Sequence, residues 1–155
     1  IKGGGHGAAA GVTLATERID DFRRRVNEFY DSLQLKNQEL YLLPRADVEI
    51  DDFSEINEEL IDNLAKMEPF GNGNAEPILK ITEATVLSVR RMGADGQHVK
   101  LTLRDKNDVA LQMLAFNAPE EFFREVGDEV SAWFQPTINE WQGMRSVEGR
   151  LLHLT

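Results

Sequence analysis

Residues 97–125 read QHVKLTLRDKNDVALQMLAFNAPEEFFRE. The opening of this stretch alternates. Val99, Leu101 and Leu103 fall on one side, and His98, Lys100, Thr102 and Arg104 fall on the other. A period of two over this length marks a half-buried strand. Asp105-Lys106-Asn107-Asp108 supplies turn chemistry, and Val109 to Phe116 is a second β-prone run. PEEFFRE, residues 119–125, then breaks the alternation. Proline at a first turn predicts a short helix there.

Working outward, residues 77–92 alternate as a long strand and meet residue 97 through the hairpin turn Gly93-Ala94-Asp95-Gly96. Val130 to Ile138 predicts a fourth strand. Gln142-Gly143 is a turn, and Arg145 to Leu154 predicts a fifth. Three strands, a short helix and two strands is the order of a five-stranded Greek-key barrel of the oligonucleotide-binding (OB) type.

Upstream the period changes to that of a helix. Ile19, Phe22, Val26, Phe29, Tyr30 and Leu33 predict an amphipathic helix over about 18–35. Arg23, Arg24 and Arg25 lie within it and fan around its circumference, so they read as solvated side chains. Residues 41–50 suggest a short strand with a break or edge at Pro44. Asp52-Phe53-Ser54 offers helix-start chemistry, with Ser54 as cap, for a second helix over about 54–67. Met67 to Asn74 is rich in turn residues and marks a boundary. The predicted class is α+β: a partial α/β segment (1–50), a connecting helix and turn-rich linker (51–76), two helices in all, then the five-stranded barrel (77–155).

Of the 155 residues none is cysteine, which excludes disulfides and thiolate metal sites. No apolar run reaches the roughly 18 residues of a membrane span, and no signal-peptide pattern is visible. The net charge of −10 argues against a strongly basic nucleic-acid binder. The charge is uneven, however. Residues 1–76 hold 8 basic and 16 acidic side chains, and residues 77–155 hold 9 and 11. Only the second part has the balance for a local basic face.

Catalytic signals are poor. His6, His98 and His153 lie far apart, without metal-ligand spacing, and there is no Walker loop or nucleophile elbow. Glu49, Asp51 and Asp52 read as turn and cap residues. GGGHGAAAG, residues 3–11, admits two readings. It can be a phosphate cradle of bare backbone with His6 as a donor, or a flexible linker. The small residues after His6 suggest a short helix packed on a sheet. On the barrel, His98, Lys100 and Arg104 line the polar side of one strand. Phe116, Trp133 and Trp141 are possible base stackers. Phe116 and Trp133 sit in apolar strands and read as core, whereas Trp141 lies in a loop.

Four segments, in order, resemble the RecJ family of single-stranded-DNA exonucleases within the DHH phosphoesterases. GGGHGAAAG resembles the GGGH-x-x-A-A-G signature of the DHH-associated domain. MEPFGNGNAEPIL (67–79) is similar to the family's L-E-P-F-G-x-G-N-P-x-P segment, with Ala75 where proline is common. GQHVKL (96–101) and INEWQGMRS (138–146) resemble two stretches of its OB domain.

The resemblance implies the C-terminal part of a RecJ-like protein, running from within the DHH-associated domain into the OB domain. In the family, an upstream DHH domain holds Mn2+ or Mg2+ for hydrolysis. No D-H-H triplet occurs here, so neither catalytic residues nor a cofactor are expected in this chain. By the same resemblance, Gly3, Gly4, Gly5 and His6 contact the substrate strand near the scissile phosphate. Lys100, Arg104 and Arg145 are expected to meet DNA phosphates, with His98 and Trp141 beside them. The expected partners are single-stranded DNA and other DNA-repair proteins, in the cytoplasm and away from membranes. The alternative is a protein-interaction module, which a carboxylate-lined barrel face would favour.

Overall fold

The glycine run is a strand. In the computed structural model, which describes residues 2–7, 9–34 and 44–155, β1 (Lys2–His6) and β2 (Ala9–Thr13) form an antiparallel hairpin with Gly4 opposite Gly11 and His6 opposite Ala9. A Cβ at Gly5 would lie 2.5 Å from Ala10 Cα, so only glycine permits this approach. The short helix suggested after His6 is replaced by β2. Glycine has poor helix propensity, and pairing with a second glycine-containing strand satisfies backbone groups that a bare run leaves open.

A 3₁₀ turn at Thr16–Arg18 leads into α1 (Ile19–Ser32). Arg23 pairs with Asp20, and Arg24 with Asp21 and Glu28, all solvent-exposed. Ile19, Phe22, Val26 and Phe29 are also exposed. With Leu14 and the stems of Arg18 and Arg25, the last three line an open groove of about 410 Å³.

Residues 1–42 form one unit and residues 43–155 another. The second contains β3 (Val48–Ile50), α2 (Glu58–Ala65), β4 (Leu79–Met92), β5 (His98–Arg104), β6 (Ala110–Ala115), β7 (Glu129–Trp141) and β8 (Met144–Leu154). Their sheet runs β3-β4-β5-β6-β8-β7, and β7 also pairs with β4, which closes it. β3 joins β4 in parallel, β6 joins β8 in parallel, and the other ladders are antiparallel. The sheet thus has six strands where the sequence predicts a five-stranded barrel. The additional strand is β3; residues 41–43 of the strand expected over 41–50 lie outside the described residues. β4 serves both neighbours because its ladders shift between Ile81 and Ala84 and between Val86 and Ser88. Such bulges bend a strand and let it turn a corner.

Two predicted helices are shorter than expected. PEEFFRE makes a single 3₁₀ turn, Glu120–Phe122, because Phe122 is driven into the core and so short a span cannot nucleate an α-helix. α2 begins at Glu58, where the side chain of Asn57 accepts from Leu60 N at 2.9 Å. Asn57 is therefore the cap. Ser54 instead donates through its N–H and hydroxyl to Asp52.

The core is filled by the alternating residues. Val99, Leu101, Leu103, Met113 and Phe134 are fully buried. Phe53 enters from before α2 and packs edge-on against Phe134, ring centroids 6.2 Å apart. Its N–H donates to Asp105 Oδ2 at 2.6 Å, while Asp105 Oδ1 accepts from Asn107 N and Val109 N at 2.8 and 2.9 Å. One buried carboxylate thus shapes the β5–β6 turn and anchors the Phe53 segment. Trp133 is buried as expected. Phe116 is not: it is 63% exposed.

His153 lies between Trp133 and Phe122, and its Nε2 is buried without a hydrogen-bond partner. Burial holds its pKa below the ordinary value. A depressed histidine favours the neutral form in the fold, so its share of stability is present above the unfolded pKa of about 6.5 and is lost as pH falls below it. The melting temperature should drop between pH 7.5 and pH 5.5. His153→Phe should reduce that drop in parallel thermal melts, and an unchanged drop would assign the effect elsewhere.

Candidate nucleic-acid interface

Strand register sorts the outer face of the closed sheet into rows. Arg90, Lys100, Leu114, Arg150 and Gln135 lie across from one another on β4, β5, β6, β8 and β7. The adjacent row is Ser88, Thr102, Gln112, Glu148 and Thr137. Ser88 Oγ donates to Thr102 Oγ1 at 2.8 Å across the first pair. Alternation along β7 and β8 continues this face outward from Thr137 and Glu148 through Asn139 and Ser146 to Trp141 and Met144, next to the Gln142-Gly143 turn. Trp141 is 68% exposed and Met144 69%. An aromatic and a thioether therefore stand on the same face as Lys100.

The cations on this side are mostly occupied. Lys100 Nζ donates to Glu148 Oε1 at 2.9 Å, and the same oxygen takes Asn139 Nδ2 at 3.5 Å. Glu148 is buried, so it cannot swing away at low cost. Lys100 keeps two further donors. Arg104 pairs with Asp108 at 3.2 Å in solvent. Arg150 holds Glu76 and Gln135. Arg90 is exposed and makes no ion pair among the described residues.

Arg145 does not join this group. Trp141 pairs with Met144 and Glu140 with Arg145, so Arg145 faces the opposite side of the ribbon. There it holds Glu58 of α2 at 2.9 Å. His98 sits at the start of β5. Its Nδ1 accepts from Asn117 N at 3.0 Å, which in the neutral ring leaves Nε2–H as the donor. Its ring meets Phe116 edge-on at 5.2 Å, so an imidazole and an exposed aromatic form a pair at the end of the β5–β6 ladder.

A family model described as the RecJ OB domain matches residues 46–153. The chain belongs to the RecJ OB domain family. It is 32% identical over 146 residues to the single-stranded-DNA-specific exonuclease RecJ of Bacillus subtilis (strain 168), covering 94% of this chain and 18% of that protein. With the corresponding protein of Haemophilus influenzae it shares 27% identity over 150 residues, covering 96% of this chain and 26% of that one. Among solved structures, RecJ from Thermus thermophilus in complex with Mn2+ superimposes with a TM-score of 0.59 at 22% identity. That match covers 100% of this chain and 22% of that one. The chain spans between 18% and 26% of the length of these relatives.

Within this RecJ OB domain, Arg90 is the residue the sequence reading passed over. The Arg90-Arg91 doublet lies in an alternating strand, so one guanidinium must face each way. Arg91 is engaged by Glu120 and lies over the Phe123 ring, which leaves Arg90 beside Lys100. In residues 1–42, Gly3, Gly4, Gly5 and His6 are all exposed on β1. Among the described residues no group of three or more His, Asp or Glu side chains is arranged to hold a metal ion. No helix among them is long and apolar enough to cross a membrane.

Proposed function

We propose that this RecJ OB domain holds single-stranded DNA across the outer face of β5 and β6, serving a single-stranded-DNA-specific exonuclease of the RecJ type. The supporting observation is that Trp141, Met144, Lys100 and Arg90 share one face although they come from four strands. Bases stack on Trp141, with the Phe116–His98 pair as a second platform. Phosphates meet Arg90 and the spare donors of Lys100. Arg104 contributes by exchanging its exposed carboxylate for phosphate, which costs little in solvent. Arg145 acts indirectly, by fixing the ribbon that carries Trp141. In the first unit, Gly3, Gly4, Gly5 and His6 contact a substrate phosphate, the bare strand allowing close approach.

Most cations on this face already have carboxylate partners, so few counterions are released on binding. Stacking then carries much of the affinity. Fluorescence anisotropy of the full chain with a labelled single strand and with duplex, at several salt concentrations, tests this. Preference for the single strand with a modest salt dependence is expected. Equal binding of duplex, or none at low salt, overturns the reading. Arg90→Ala should weaken binding and reduce the magnitude of the logarithmic salt slope by about 0.7, the share of one phosphate contact on a single strand. An unchanged slope removes Arg90 from the contact set.

The protein-interaction reading asks for carboxylates on the β5–β6 face. The carboxylates there are already held by cations: Glu148 is buried and taken by Lys100, Asp108 pairs with Arg104, and Glu76 with Arg150. That face therefore favours DNA.

A further inference from the structure

Between α2 and β3 lies an apolar groove of about 400 Å³. Val48 and Ile50 line it from β3, Leu60 and Leu64 from α2, and Met67 and Leu79 complete the walls. A volume in the range of about 300–1,000 Å³ is that of a ligand pocket rather than a packing defect. Val48 and Met67 are each 50% exposed. The groove adjoins an open strand edge. β3 is the terminal strand of the sheet, and the backbone groups facing away from β4 have no strand partner among the described residues. Val48 and Ile50 share one side of that strand, at the spacing an added strand would match.

The segment that carries the groove is acidic, and Asp47 and Glu55 line the groove itself. From Ala46 to Ala65 the sequence holds eight Asp and Glu residues and no Lys or Arg. Glu49, Asp51 and Glu58 are matched by Lys80, Lys106 and Arg145. Asp47 and Asp52 accept hydrogen bonds from Ile78 N and Ser54. Glu55, Glu59 and Asp62 make no ion pair among the described residues, and Glu55 lines the groove itself.

We propose that this groove binds an extended segment of a partner protein in which apolar and basic residues alternate. The segment adds to the edge of β3 through main-chain hydrogen bonds. Its apolar side chains enter the groove, and its Lys and Arg face Glu55, which lines the groove, and Glu59 beside it at the start of α2. The open edge favours a strand over a helix, and the carboxylates repel nucleic acid and acidic peptides. This site is independent of the DNA reading.

The test titrates the full chain with a labelled ten-residue peptide alternating lysine and valine, against decalysine and an alternating glutamate–valine peptide. The lysine–valine peptide should bind at least about tenfold more tightly than decalysine, a difference of about 1.4 kcal/mol. The glutamate–valine peptide should not bind. Bound peptide should slow hydrogen exchange at residues 48–50. Leu60→Asp should abolish binding, and the surface double variant Glu55→Lys/Glu59→Lys should do so without entering the core. Trp141→Ala should have no effect. No binding of the lysine–valine peptide, equal binding of decalysine, or binding that survives the double variant each overturns the proposal.

Discussion

Replacing Asp105 with alanine should lower the unfolding free energy by about 3–4 kcal/mol, as urea denaturation would measure it. The side chain accepts three backbone N–H groups, from Phe53, Asn107 and Val109. Hydrogen bonds to a charged group are worth about 1.5–3 kcal/mol each, and a buried donor left unpaired costs about 1–3 kcal/mol. The turn amides can recover part of that from water. Phe53 N cannot, because Phe53 is 2% exposed and its ring is fixed against Phe134. The loss therefore spreads from the β5–β6 turn into the packing of Phe53. Asp52→Ala, an exposed carboxylate in the same region, should cost less than about 1 kcal/mol. A loss below about 1 kcal/mol for Asp105→Ala would show that the Phe53 segment anchors itself without it.

Under the proposed function, Trp141→Ala should weaken single-stranded DNA binding about tenfold, with the melting temperature unchanged. One stacked base is worth about 1–3 kcal/mol by such a substitution. The residue stands free near the β7–β8 turn, so truncation opens no cavity. Because indole carries no charge, the salt slope should stay where it was, in contrast to Arg90→Ala. Anisotropy titrations at two salt concentrations separate the two effects. A loss smaller than twofold would remove Trp141 from the interface and leave the Phe116–His98 pair as the stacking site.

Strand β5 was fully legible, since its alternation names the core and the outer face in one reading. Phe116 was misjudged for a physical reason. Its apolar character suggests burial, but it has the opposite parity to the buried Leu111, Met113 and Ala115 and follows directly on β6, so it falls on the outer side. The same parity argument across the two-residue turn places Arg145 with Glu140, away from Trp141. The partner of Lys100 was not legible. Glu148 reaches it only because β8 pairs in parallel with β6, a long-range contact that no local pattern encodes. β3 was anticipated as a short strand, yet its attachment to β4 depends on register that sequence periodicity does not contain. The glycine run shows the opposite problem. Glycine allows so many conformations that composition alone did not separate loop from strand.

Closure of the sheet through β4 and β7 also governs the order in which the chain can fold. The β4–β5–β6 meander uses neighbouring segments and can form while little else exists. Sealing it requires β8 to reach Gln112 and β7 to reach Leu79, and these ladders pay the entropy of bringing remote segments together before any contact rewards them. Until β7 and β8 pair, the inner side of the meander, which carries Leu101, Leu103 and Met113, lacks the strands that cover it in the closed sheet.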